Sequence, residues 1–195
     1  MDGAQLVQGV LRQTAVPVRL VSHRRRQHAL HLLGGVSGLR HQRHGHLPQV
    51  VLGAAFSFSI PMAFAAQRGE LPAELWWLYL ANLLWTVTYD TFYAMVDRED
   101  DLQIGVKSTA ILFGRHDRAI TACLQTGVIL LLILSGGAFN LGTFYYIGVA
   151  LAALLFLHQQ YQIRMRDRDA CFKAFLDNNY VGAVIFIGLA LDYQL

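Results

Sequence analysis

The fold class this sequence predicts is all-α: a polytopic transmembrane helix bundle with about five membrane helices. Three observations predict it. Of the 195 residues, 54% are hydrophobic and only 15% are charged, whereas a soluble domain of this size carries about a quarter charged residues. Apolar runs near the ~20 residues needed to cross about 30 Å of hydrocarbon recur along the chain. Basic residues gather in alternate connections between those runs. Backbone groups in lipid must be satisfied within their own segment, so the runs are expected as helices.

Residues 1–45 come first and carry no periodic pattern. Residues 1–46 hold seven Arg against one acid, and six of the eight histidines lie between His23 and His46. The clusters His23-Arg24-Arg25-Arg26-Gln27-His28 and Arg40-His41-Gln42-Arg43-His44 suit a disordered basic tail or a surface that meets anionic lipid headgroups. Nucleic-acid binding is not expected, because no aromatic residue is present there to stack on a base. No carboxylate or cysteine set accompanies the histidines, so a metal knuckle is not expected either. The start lacks a Lys or Arg before a compact apolar core, so it does not read as a signal peptide.

From Leu47 the character changes, and residues 47–195 carry a net charge of −3. The first apolar segment is 49–66, with Pro61 inside it. The second is 75–96, opening on Trp76 and Trp77 where an aromatic belt would sit. The third is 119–135, closing at Ser135-Gly136-Gly137. The fourth is 142–160 and the fifth 178–195. Arg98, Lys107, Arg115 and Arg118 lie between the second and third. Arg164, Arg166, Arg168 and Lys173 lie between the fourth and fifth. Two crossings separate these loops, so both fall on one side, which the positive-inside rule makes the cytoplasm. Cys123 and Cys171 are expected to be free thiols.

The segment Tyr89-Asp90-Thr91-Phe92-Tyr93-Ala94-Met95-Val96-Asp97-Arg98-Glu99-Asp100-Asp101 carries the chemistry. It places five acids at the end of an apolar helix, where charge is costly without a cation. Asp90 and Asp97 are seven apart, and Asp97 and Asp101 four apart, so on a continuing helix they share a face. Gathered carboxylates are hard oxygen ligands of the kind Mg²⁺ takes, together with phosphate oxygens. Gln103-Ile104-Gly105-Val106-Lys107-Ser108-Thr109 follows, with a permissive glycine, a cation and two hydroxyls. On charge pattern alone, a solvated charged turn is the competing reading. Tyr89 and Tyr93 either line a site or sit at the interface. His116 and His158 read as interfacial polar residues. Asp177-Asn178-Asn179 reads as a helix N-cap, with a polar contact at a cavity mouth as the alternative.

The run from Tyr89 to Gly114, YDTFYAMVDREDDLQIGVKSTAILFG, closely resembles the second aspartate-rich motif of UbiA-type membrane prenyltransferases. His46-Leu47-Pro48-Gln49, Met62-Ala63-Phe64-Ala65-Ala66, Ala170-Cys171-Phe172-Lys173-Ala174-Phe175 and Asn178-Asn179-Tyr180-Val181-Gly182 resemble the same family. The likeness runs from about His46 to the C-terminus and is strongest to members that prenylate 4-hydroxybenzoate in ubiquinone biosynthesis. It implies a nine-helix membrane bundle, of which residues 46–195 would form the C-terminal half. It also implies Mg²⁺-dependent transfer of a polyprenyl group from polyprenyl diphosphate to the ring of 4-hydroxybenzoate, ortho to the phenol. Carried over by position, Asp97 and Asp101 are the catalytic metal-binding pair. Asp90 and Asp100 are supporting metal ligands, Lys107 binds diphosphate and Tyr93 faces the cavity. The implied setting is a bacterial inner (plasma) membrane, with the acidic motif on the cytoplasmic side, lipid as the surrounding partner and no nucleic acid.

The family's first aspartate-rich motif, of the form NDxxDxxxD, has no counterpart before His46, where Asp2 is the only acid. This chain is therefore expected to be truncated and weakly active or inactive. The alternative is a non-catalytic membrane fragment that at most binds Mg²⁺-diphosphate. The abrupt Arg/His composition predicts that residues 1–45 arise from a shifted reading frame or a wrong start. A native transcript that encodes them in frame would overturn that expectation.

Overall fold

The structure is a computed structural model that describes residues 48–105 and 107–194. The expectations for residues 1–45, including a domain boundary at 46, lie outside the described residues. Helix is the regular structure throughout the described part. α1 (Pro48–Ser57) and α2 (Ser59–Arg68) share the first apolar run. α3 (Leu75–Val96), α6 (Asp117–Ala138), α7 (Thr143–Gln162) and α9 (Asn178–Gln194) take the other four. Between them lie the short helices α4 (Arg98–Ile104), α5 (Thr109–Phe113) and α8 (Arg168–Leu176), with 3₁₀ turns at Gly114–His116 and Ile163–Met165.

Three stretches are long and apolar enough to cross a membrane by length and composition: Gln49–Arg68, Thr109–Ala138 and Arg168–Gln194. α3 and α7 have spanning length too, but Trp76, Trp77, Asn82 and Asp90 in one, and His158, Gln159 and Gln160 in the other, lower their hydropathy. Large apolar side chains point outward along these helices: Leu130, Leu134, Leu154, Leu157 and Phe186 are each more than half exposed. Outward-facing large apolar side chains on several helices are what a lipid-solvated bundle shows.

The break between α1 and α2 has a local cause. Pro61 lacks the N–H that would bond the Ser57 carbonyl, so the helix is interrupted at Phe58 and restarts. The freed Ser57 hydroxyl donates back to Gly53 O (2.7 Å) and accepts from Asn82 Nδ2 of α3 (3.0 Å). α3 is central and packs against α1, α6 and α8. One core cluster lies among the long helices, built on Ala81, Val128, Tyr145, Ala152, Phe156 and Val181. A second lies at one end, where Phe92 and Met95 meet Ala110, Ile163, Cys171 and Ala174. Residues 161–176, expected as a loop, thus include α8, whose buried face docks on the end of α3. Cys123 and Cys171 are free, as expected.

α7 and α9 meet through glycine. A Cβ on Gly148 would lie 2.7 Å from Val184 O, and one on Gly188 would lie 2.7 Å from Phe144 O. Lipid supplies no hydrophobic drive between helices, so close backbone approach at small residues carries the association. The N-terminus of α7 is capped from α9, where the Asp192 carboxylate accepts from the N–H groups of Gly142 and Phe144. The rings of Phe64 and Phe139 meet at this same end, tilted 35° to one another with centroids 5.6 Å apart. The two basic connections lie together at the other end, as the loop charges predict.

Gly188→Leu is expected to lower the melting temperature of the chain in detergent, because its side chain would enter the α7 backbone. Overpacking of this kind typically costs about 1–3 kcal/mol. An unchanged melting curve would show that α7 and α9 do not depend on this contact.

Candidate functional site

The site begins with the last turns of α3. The Thr91 hydroxyl donates to Val87 O (2.6 Å) and receives the Thr109 hydroxyl (2.8 Å), pinning α3 to α5 inside a buried interface. At Asp97 the backbone leaves the helix (φ −92°, ψ 8°), and α4 starts at Arg98. Asp90, Asp97 and Asp101 therefore do not ride one continuous helix, contrary to the spacing argument. Two physical causes are visible. Glu99, Asp100 and Asp101 occupy the first turn of α4, where acids favour a fresh N-terminus. Arg98 meanwhile is drawn away toward Asp117. The Asp101 N–H still reaches Asp97 O (2.8 Å), so this pair stays one turn apart.

Asp97 and Asp101 are half-buried, while Asp100 is exposed. Arg168, on the first turn of α8, places Nη2 3.1 Å from Asp100 Oδ2 and 3.9 Å from Asp97 Oδ1. Partial burial raises the Asp101 pKa above the ordinary 3.8. The nearby Ser108 hydroxyl offsets part of that, and the charges of Asp97 and Asp100 add to the rise. The Ser108 hydroxyl is itself buried and makes no well-formed hydrogen bond among the described residues. Gly105 closes α4 in the left-handed region (φ 72°), donating to Asp101 O. That conformation costs glycine little and turns the chain toward Ser108. Lys107 is exposed just beyond it. Asp90 is half-buried two turns before Asp97.

Behind the acids is a charge cluster the loop reading missed. Asp117 opens α6 and is fully buried. Its Oδ1 accepts from Arg166 Nη2 (2.7 Å) and from the Arg118 N–H (2.7 Å), and its Oδ2 accepts from Arg98 Nη1 (3.2 Å). Arg166 Nε lies 3.0 Å from both oxygens, and its Nη2 also donates to Arg115 O (2.9 Å). The bonds to Asp117 push the already high Arg166 pKa further up. Arg166 pays a backbone strain of left-handed φ (56°) to reach this position. Arg98, Arg166 and Arg168 all entered the loop-charge count as side markers. Their sequence distances from Asp117 and Asp100 give no hint of these pairings.

A cavity of about 640 Å³ opens between α3 and α9, floored by α8. Asn82, Trp85 and Tyr89 come from α3, Phe175 from α8, and Asn178 and Gly182 from α9. Trp85 Nε1 donates to Asn178 Oδ1 (2.8 Å), while Asn178 Nδ2 satisfies the carbonyls of Ala174 (2.9 Å) and Phe175 (3.1 Å). Asn178 thus ends α8 and lines the cavity, the second of the two roles read from sequence. Asp177 receives Gln162 Nε2 instead (2.9 Å). Tyr93, one turn nearer the acids than Tyr89, is half exposed, with its ring 5.3 Å from Phe175. His116 and His158 are exposed at the same end.

Among the described residues, no three His, Cys, Asp or Glu side chains converge into a metal shell. The acids nonetheless fit a cation that brings its own oxygen ligands. Like charges raise the proton affinity of Asp101, an Arg already serves two of its neighbours, and a buried hydroxyl beside them lacks a partner. Polar, cation-seeking groups at one end and an aromatic-walled apolar cavity beside them suit an amphiphile with an anionic head.

The comparison with known families gives this chain a class. The model of the UbiA prenyltransferase family matches residues 32–188, and the chain belongs to that family. It is 61% identical over 152 residues to 4-hydroxybenzoate octaprenyltransferase of Cronobacter sakazakii, covering 78% of this chain and 52% of that one. It is 58% identical over 151 residues to the protein of the same name from Marinobacter nauticus, covering 77% and 51%. The chain thus spans about half the length of the curated relatives it matches. Among solved structures, a UbiA homolog from Aeropyrum pernix K1 superposes with a TM-score of 0.66 at 23% identity, covering 78% of this chain and 58% of that one. A digeranylgeranylglyceryl phosphate synthase superposes with a TM-score of 0.64 at 17% identity, covering 74% and 51%. These two establish the fold as a helix bundle, and the family together with the membrane-length helices makes this an integral membrane protein.

Asp117→Asn is expected to destabilise the chain strongly. Breaking a buried ion pair costs about 3–5 kcal/mol, and the lower end applies here because both arginines keep some contact with water. Thermal unfolding in detergent checks this. A loss no larger than that of an exposed control, Glu99→Gln, would show that the cluster is not structural.

Proposed function

We propose that residues 46–195 form part of an aromatic prenyltransferase that joins a polyprenyl group to 4-hydroxybenzoate. The observation that carries this is the juxtaposition of Asp97 and Asp101 with an aromatic-walled cavity, in a chain about 60% identical to proteins named for that reaction. The prenyl chain would lie along Trp85, Tyr89 and Phe175, with its diphosphate at the acidic end. Mg²⁺, when bound, would neutralise the diphosphate and so ease its departure. Asp97 and Asp101 would be its principal ligands, with Asp90 and Asp100 in support. Lys107 would reach the diphosphate as a mobile positive charge.

In the reaction the allylic C–O bond breaks with its electron pair going to diphosphate. The ring carbon ortho to the phenol then bonds the allylic carbon, and the ring loses a proton. The faces of Tyr93 and Phe175 would stabilise positive charge developing on that carbon. The acidic end would face the cytoplasm, by the distribution of Arg and Lys in the loops.

A second reading has its own support. Among the described residues the acids make no complete metal shell. The chain would then hold a Mg²⁺-diphosphate without turning it over. Membranes containing the chain, supplied with labelled prenyl diphosphate and 4-hydroxybenzoate, separate the two. Product that disappears with chelator and with Asp97→Asn supports the enzyme. Mg²⁺-dependent binding without product supports the holding role. Neither binding nor product would overturn both.

Asp97→Asn or Asp101→Asn is expected to weaken Mg²⁺-dependent binding of a prenyl thiodiphosphate at least ~10-fold, the loss of a charge-assisted contact. Binding should also strengthen as pH rises above the ordinary aspartate range. The raised pKa of Asp101 keeps its proton on longer, and only the deprotonated carboxylate coordinates a cation. A titration that is flat in pH from 4 to 7 (on the order of the range spanned by shifted carboxylates) would contradict this role for Asp101.

A further inference from the structure

A second groove lies on the outer face of the bundle, between α6 and α7, with a volume of about 250 Å³. Its lining reads as two helical stripes. Ala122, Thr126 and Ile129 come from α6, and Ala153, Leu157 and Gln160 from α7. Continued toward the acidic end, the first stripe reaches Arg118, four residues before Ala122. The second reaches Arg164, four residues after Gln160. Spacings of three and four keep the lining residues of each stripe on one helix face, and Arg164 stands in the 3₁₀ turn that follows α7. The two ends do meet: Arg118 Nη1 donates to Arg164 O (3.3 Å).

The groove is graded along its length. About one turn beyond the lining residues, at the acidic end, come Arg118 and Arg164. The Arg164 guanidinium is exposed and lies 3.8 Å over the Tyr161 ring. Arg118 is half-buried, and its Nε is buried with no hydrogen-bond partner among the described residues. The neighbouring acid, Asp117, does not neutralise them, because its carboxylate is taken by Arg98 and Arg166. One to two turns in, carboxamides follow: Gln160 Nε2 donates to Gln125 Oε1 (2.9 Å) and Thr121 Oγ1 (3.2 Å). Beyond them the walls are apolar.

We propose that this groove binds an anionic glycerophospholipid. The phosphate sits between Arg118 and Arg164, the ester region lies against Gln160, and one acyl chain runs past Ala153, Leu157 and Ile129. Charge complementarity selects the headgroup, since basic pockets between membrane helices favour acidic lipids. The cation-to-carboxamide-to-apolar order matches that of a lipid from head to tail. A soluble anion would use only the first part of it.

Thermal unfolding and native mass spectrometry of the chain in detergent, with defined additions, test this. Phosphatidylglycerol is expected to raise the melting temperature and to be retained at least ~5-fold more often than phosphatidylcholine with the same chains, a modest step on the scale of headgroup charge contacts. Arg118→Gln with Arg164→Gln should remove that preference. Ala153→Phe, which obstructs the apolar part and leaves both arginines, should reduce retention of either lipid. If Arg118→Gln does not fold, Arg164→Gln alone and Ala153→Phe carry the test. Equal retention of the two lipids, or a preference that survives these variants, would overturn the proposal. A full thermal shift from inorganic phosphate alone would also overturn it, by reducing the site to an anion contact without a lipid.

Discussion

The buried carboxylate of Asp117 is the constraint around which the acidic end is arranged. An ionised group with no exposed surface is tolerable only when its hydrogen-bonding capacity is filled. Here two guanidinium groups and a backbone N–H fill it. Because Arg98 is the first residue of α4 and Arg166 follows the turn after α7, filling that one carboxylate sets the position of three separate stretches. The break at Asp97, the placement of α8 beside it and the approach of Arg168 to the acids all follow from where those arginines must go. The hub therefore acts on the candidate site without belonging to it.

The acids themselves illustrate how charge density is managed near a membrane edge. Asp97, Asp100 and Asp101 repel one another, and the structure answers with a single cation from another helix, Arg168, that reaches two of them at unequal distances. Asp101 is left to its neighbours' field and to a partnerless hydroxyl. An exposed ion pair such as that with Asp100 contributes little to stability, so Arg168 can yield to a competing cation at small cost.

The five helical stretches were legible because apolar runs of spanning length leave the backbone little choice. The shared end of the two basic connections was legible for the same electrostatic reason that orients membrane helices. Gly105 reads as a permissive glycine, whereas 49–66 reads as one run with Pro61 inside it, and the break at Phe58 is not expected. What could not be read was pairing at a distance. Asp117 follows His116 in an unremarkable turn, and nothing local says that residues 19 and 49 positions away will close on it. α8 was hidden by its composition, since Arg168-Asp169 and Lys173 gave it the look of a loop. Its buried Cys171 and Ala174 sit three apart, too sparse a pattern to stand out. For the candidate site, the residue types were visible and their grouping was not, because the spacing argument assumed an unbroken helix.

The glycine contact between α7 and α9 has a mechanical consequence. Those helices touch backbone to backbone at Gly148 and Gly188, and Asp192 binds them again at the far end. They should move as one stiff plate. The facing seam between α3 and α9 is different: it encloses the large cavity and is bridged by the Trp85–Asn178 hydrogen bond. Compliance in this bundle is thus lopsided. The α7–α9 pair is joined through its backbone, whereas α3 is joined to α9 by a side-chain hydrogen bond across the cavity.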